Sequence, residues 1–211
     1  MNKKFLTFTI ILLFNFCINV EVGETIKLPD PDKEGGIPLY KAFNTRKSSR
    51  DFDETKDISL TTLSQALWCC YEFGVSTSRT VPSAKAWYPF LIYLFLKDGV
   101  YLHNPDTHEI TKILDGDHRE VTGEQTSVIT KAAVNFVFIG DLRKETIIEE
   151  KIRRLACSYD IGHLTQVLSL FAAANDMKGL VRAGLNENII LDFLELDKTY
   201  YYVPIAFSLG Y

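Results

Sequence analysis

Arg46, Lys47 and Arg50 place three cations within five residues, with Ser48 and Ser49 between them. Guanidinium forks pair with phosphate oxygens two at a time, and hydroxyls complete such a shell. The segment is therefore a candidate phosphate site. On spacing alone a solvated basic loop is the simpler account. A second unusual stretch, Ser78 to Pro89, holds Arg79, Pro82, Ser83, Lys85, Trp87, Tyr88 and Pro89. Its prolines fix the backbone and its small residues permit close approach of a flat ligand. The alternative is a loop that enters a strand and tucks Trp87 into the core.

Other chemistry is sparse. No GxGxxG, P-loop, GxSxG elbow or HExxH occurs. His103 and His108 flank a turn, but nothing nearby supplies a third soft ligand, so no metal is expected. Cys157 and His163 are six residues apart. On a helix that spacing puts them on different faces, a poor dyad.

These residues need elements to position them. Pro38 suits a first helical turn, and Leu39, Ala42 and Phe43 continue an apolar spacing of three and four up to Arg46. Ser59 caps a helix striped by Leu63, Ala66, Leu67, Cys70 and Tyr71 and ended by Gly74. Phe90 to Leu96 reads as a buried strand, and Asp98-Gly99 turns it into a hairpin partner. A further strand is expected at Glu109 to Leu114, and a weak helix from Gly123 to Ala133. Val134 to Gly140 is a strong strand. Thr146 to about Asn175 is helical, with a kink or a close packing contact expected at Gly162. A short strand or turn at Leu180 to Leu185, a helix capped by Asn186, and a strand from Thr199 to Leu209 complete an α+β order.

The chain has 211 residues, with 23 basic and 27 acidic side chains and a net charge of -4. The acidic balance argues against nucleic acid as a partner. Residues 1–23 stand apart: a basic start, then an uncharged apolar run from Phe5 to Val20. This reads as a signal peptide, or as a membrane anchor if uncleaved, and implies an exported or anchored protein. Residues 24–211 are then the folded domain. Cys17, Cys69, Cys70 and Cys157 form no disulfide framework; the adjacent pair reads as small core hydrophobes.

Four segments in order resemble the FMN-dependent nitroreductase family, over about Pro38 to Tyr211. Arg46-Lys47-Ser48-Ser49-Arg50-Asp51-Phe52 is similar to the family's opening RRSxRxF. Arg79 to Pro89 resembles RTxPSAGALYP of the branch that holds azoline-oxidising dehydrogenases of peptide maturation. Asp160-Ile161-Gly162-His163-Leu164-Thr165-Gln166 is similar to DxGHxxQN, and Val203-Pro204-Ile205 to Tyr211 resembles PVGYP.

The resemblance implies an antiparallel sheet flanked by helices, with FMN at a homodimer interface. It implies reduction by NADH or NADPH and ping-pong transfer to a small-molecule acceptor, a nitroaromatic or quinone. A dehydrogenase of a bound substrate, or a non-catalytic exported flavin-binding protein, is the alternative. Arg46, Lys47 and Ser48 would hold the FMN phosphate, and Arg50 the ribityl chain or pyrimidine edge. Pro82, Ser83 and Ala84 would line the flavin edge. Ala183 and Gly184 would bring a backbone N–H to N5, with Arg182 as a further cation. His163 and Gln166 would pack the dimer. Lys85 stands where the branch has Gly, Ala86 where many relatives have Asn, and Met177-Lys178-Gly179 where a glycine pair is usual.

Overall fold

The computed structural model describes residues 23–74, 78–144 and 149–211. The segment read as a signal peptide or anchor lies almost wholly outside them. Among the described residues no helix is long and apolar enough to cross a membrane.

Seven strands form one antiparallel sheet: β1 (Thr25–Lys27), β2 (Phe90–Leu96), β3 (Gly99–Asn104), β4 (Glu109–Asp115), β5 (Val134–Asp141), β6 (Lys178–Arg182) and β7 (Tyr201–Gly210). They lie in the order β1-β4-β3-β2-β5-β7-β6. The helices are α1 (Leu39–Thr45), α2 (Leu60–Tyr71), α3 (Thr126–Ile129), α4 (Glu150–Ala174) and α5 (Glu187–Phe193).

The unbroken apolar run of β2, and the largely apolar β5, follow from burial on both faces. Phe90, Ile92, Leu94, Phe136 and Phe138 meet Leu63, Leu67, Ile161, Leu164 and Leu168 of α2 and α4. The alternate residues Tyr93, Phe95, Val137 and Ile139 meet Ile190 and Leu191 of α5. Both expected caps form. Thr62 N–H donates to Ser59 Oγ at 3.1 Å, and Ile189 N–H to Asn186 Oδ1 at 3.2 Å.

Two expectations are corrected, and one strand was not expected. The helix expected over Gly123 to Ala133 shrinks to the four residues of α3. Extended Gly123 lets two segments meet: a Cβ there would sit 2.5 Å from Arg182 Nη1 and 3.2 Å from the Gly184 carbonyl oxygen. The helix α4 runs without a break through Gly162. Finally, β1 is too short to show a period, and it exists because β4 offers an edge to pair with.

A buried acid ties α2 to the β3–β4 turn. His103 Nε2 is 2.7 Å from Glu72 Oε1, and His108 Nδ1 is 2.5 Å from Oε2. His108 Nε2 lies 2.9 Å from both Ser64 Oγ and the Pro29 carbonyl oxygen. The histidines are spent on the carboxylate, and no cluster among the described residues is poised for a metal. Burial holds His103 below its ordinary value, against the pull of Glu72. Below about pH 6.5 the unfolded chain therefore binds more protons at this site than the folded one. Stability is expected to fall as pH drops through that range, by at most about 1.4 kcal/mol per pH unit for one proton. Thermal melting between pH 7.5 and 5.5 checks this; His103→Gln should flatten the slope, and an unchanged slope would overturn it.

Candidate functional site

The helix α1 stops at Thr45, and the chain then runs beside β6. Ser48 bridges to Gly179 in parallel, and Ser49 N–H donates to the Gly179 carbonyl at 3.0 Å. A few residues on, Phe52 is buried with Ala132 and Leu180. The glycine at 210 makes room for it, since a Cβ there would sit 2.9 Å from the Phe52 ring. The cation segment is thus pinned at both ends while Arg46, Lys47 and Arg50 stay exposed. None of the three is ion-paired among the described residues; the nearby pair is Lys178 with Asp51 at 3.8 Å.

Arg50 forms one wall of a cleft of about 180 Å³, shared with Gln125 and the Leu180–Gly184 stretch. Lys47 borders a separate hollow with Asp176 and Lys178. An ideal Cβ on Gly184 would meet no atom within 4 Å, and its φ is not left-handed. The cleft floor is therefore open backbone. So Arg50, Arg182, Ala183 and Gly184 line one cleft, and Ser48 bridges to Gly179 at the start of the same strand.

Within that group Arg182 is placed differently from the rest. Its neighbour Val181 is exposed, whereas Leu180 and Arg182 turn inward, as alternation along a strand requires. Its Nε donates to Ser208 Oγ at 2.9 Å and its Nη1 to the Thr122 carbonyl at 2.6 Å. Its Nη2 reaches Thr122 Oγ1 at 3.2 Å and Asn135 Oδ1 at 3.3 Å. Burial pushes the guanidinium down to about 10, still charged at neutral pH.

The Pro82–Ala84 segment lies elsewhere. Ser83 Oγ donates to Asp160 Oδ2 of α4 at 2.6 Å and accepts from Tyr88 N–H at 2.9 Å. Its hydroxyl is thus engaged inside the chain, and Pro82 and Ala84 are exposed. Beyond it, Lys85, Ala86 and Tyr88 hold left-handed φ values of 49°, 55° and 46°. Such backbone costs a non-glycine residue of order 1 kcal/mol or more, and tends to persist where surroundings or function demand it. The Lys85 ammonium sits 5.0 Å above the half-buried Trp87 ring. Arg79 is structural: it packs 4.1 Å from the Phe73 ring centroid and pairs with Asp106 at 2.5 Å. Cys157 is buried, with its thiol on the Pro89 carbonyl at 3.1 Å, while His163 is exposed.

Strand register separates the two groups. Gly179, where the cation segment docks, pairs with Leu209, which pairs with Val134 at the start of β5. At the other end of β5, Asp141 N–H donates to the Pro89 carbonyl. Seven steps of about 3.4 Å put these ends roughly 24 Å apart. One chain does not bring the cation run and the Pro82–Ala84 loop to one place.

Beside that loop, α4 presents an uncovered stripe. Ile152, Leu155, Tyr159, Gly162, His163 and Gln166 are all exposed, Tyr159 by 62%. At 100° per residue they share an arc of about 100°. A Cβ on Gly162 would meet nothing within 4 Å. Glycine in a helix interior costs about 1 kcal/mol relative to alanine, and no contact among the described residues explains it.

The chain resembles known proteins over most of its length. A Methanocaldococcus jannaschii protein, provisionally named a nitroreductase, is 29% identical over 196 residues, covering 84% of this chain and 93% of that one. The crystal structure of a protein from Ralstonia eutropha JMP134, provisionally titled a nitroreductase, matches with a TM-score of 0.81 and 26% identity, over 88% of each chain. A Desulfovibrio desulfuricans structure in complex with FMN, given the same provisional title, shares the fold with a TM-score of 0.59 and 16% identity, over 83% of this chain and 87% of that one. The family model described as "Nitroreductase family" matches residues 44–211, from the start of the cation run to the C-terminal strand. With the sheet, the pinned basic segment and the open turn at Gly184, that match establishes that this chain belongs to the nitroreductase family.

Proposed function

We propose that the protein is an FMN-dependent oxidoreductase that works as a homodimer and draws electrons from NADH or NADPH. The observation that carries this is the cleft between exposed Arg50 and the Ala183-Gly184 backbone, open above Gly184. Exposed Arg46 and Lys47, with the Ser48 hydroxyl, suit a phosphate. Arg50 is placed for the ribityl chain or the ring edge, and a backbone N–H at Ala183 or Gly184 for the ring centre. The loop of Pro82, Ser83 and Ala84 supports the second edge from another copy, since within one chain it lies at the far end of β5. The uncovered α4 stripe beside it offers the surface through which that copy docks.

Bound FMN supplies reversible uptake of a hydride. The protein's part is to hold the ring, exclude water and place positive charge where electron density builds. No side chain needs to act as a nucleophile. An electron-poor small molecule, a nitroaromatic or quinone, fits such a site because it needs only to stack on the exposed ring face. The basic start and apolar run at the N-terminus support export or anchoring as the setting.

The test is direct. Protein loaded with FMN should lose its yellow absorbance on anaerobic addition of NADH or NADPH and regain it with a quinone. Arg50→Ala removes a charge-assisted contact worth about 1.5–3 kcal/mol, so FMN affinity should fall roughly 10- to 100-fold. Normal FMN content and turnover in Arg50→Ala would remove Arg50 from the site. Wild-type protein that takes up no FMN would end the proposal.

A further inference from the structure

Arg182 makes four hydrogen bonds, but its charge is not balanced. It is 6% exposed, and every acceptor it reaches, on Thr122, Asn135 and Ser208, is neutral. Burial alone accounts for its lowered pKa, with no carboxylate opposing it. The other buried arginine, Arg119, shows the contrast: Asp117 grips it through Nε at 2.9 Å and Nη2 at 2.6 Å. A buried charge without a partner is costly, and removing the hydration of a guanidinium is not repaid by neutral acceptors alone.

The surroundings are built to keep it. Gly123 is bare so that Nη1 can reach the Thr122 carbonyl. Ser208 Oγ donates to Asn135 Oδ1 at 2.5 Å, and Asn135 Nδ2 donates to the Ile129 carbonyl at 2.9 Å, which fixes the amide with its oxygen toward the guanidinium. Arg182 also borders the cleft that Arg50 and Gly184 share. The uncompensated charge therefore lies directly behind the backbone turn assigned above to the flavin ring.

We infer that Arg182 is a charge-setting residue whose counter-charge is the reduced flavin: it favours the electron-rich form of bound FMN over the oxidised form, from behind the turn. This rests on the FMN reading above. A hydride from a reduced nicotinamide brings two electrons and one proton, so a neutral ring gains one negative charge as the donor departs as oxidised nicotinamide. The same pair of electrons, with protons from water, later leaves to the acceptor. Arg182 takes no part in either transfer; it shifts the equilibrium between them.

The measurement is the affinity of the protein for oxidised and for reduced FMN, by anaerobic titration. Arg182→Met should lower the preference for reduced FMN roughly tenfold, taking unit charges about 10 Å apart and an effective dielectric near 20. For a two-electron couple that is about 30 mV in midpoint potential. Asn135→Asp supplies an internal counter-charge with almost no change of shape and should lower the preference likewise, which decides the matter if Arg182→Met does not fold. Arg182→Lys keeps the charge and should stay within about twofold of wild type. The inference is overturned if Arg182→Met and Asn135→Asp keep the wild-type ratio. It is also overturned if both forms of FMN weaken equally, which would make Arg182 a simple binding cation. Failure of wild-type protein to bind FMN in either form would instead sink the flavin reading itself.

Discussion

Replacing Gly184 by leucine is expected to give a folded protein that stays colourless. The reasoning separates folding from binding. A Cβ at this position would meet nothing within 4 Å, and the residue is not left-handed, so the side chain enters open space at no steric cost. That space is the mouth of the cleft lined by Arg50 and the end of β6. A leucine there occupies the volume that a flat ring must fill to reach the backbone N–H groups. FMN affinity should fall by 100-fold or more, roughly 3 kcal/mol, while the melting temperature of the flavin-free protein moves by only about a degree or two. Flavin titration and thermal melting on the same preparation read both quantities. A yellow Gly184→Leu protein would show that the ring sits elsewhere.

Gly162→Trp should have an effect of similar size by another route. The position faces outward in the middle of α4, between Tyr159 and His163, with no neighbour to clash with among the described residues. A tryptophan fits the protomer but stands proud of the face through which the proposed dimer would form. The variant should sediment as a monomer and bind FMN at least 100-fold more weakly, because each site would lose the half it borrows. Gly162→Ala is the control: it adds helix propensity of about 1 kcal/mol and only one methyl group, so flavin binding should survive. If Gly162→Trp sediments with wild type and keeps its flavin, the α4 face is not the contact.

Much of this was legible in local sequence. The strands β2 and β5 read correctly because burial on both faces leaves them largely apolar. The caps at Ser59 and Asn186 are local chemistry and appear where expected. The basic run stands out because its members are adjacent in the chain. What escaped was decided at long range. The hydrogen bond that Ser83 Oγ donates to Asp160, 77 residues away, could not be read from local sequence. Arg182 reads as a further cation of the cofactor site, but its burial beside Leu180 follows only from the parity of β6. Gly162 suggests a kink or a close packing contact; the helix runs straight through it, and among the described residues nothing packs against it.

The placement of the two groups at opposite ends of β5 has a genetic consequence. In a dimer that builds each site from the basic segment of one chain and the Pro82–Ala84 loop of the other, a lesion belongs to a site and not to a polypeptide. Pair a chain damaged at Arg50 with one damaged in the loop, and both faults gather in one site, leaving the other whole. Two alleles that are each silent alone would then restore activity when expressed together, and two lesions in the same segment would not.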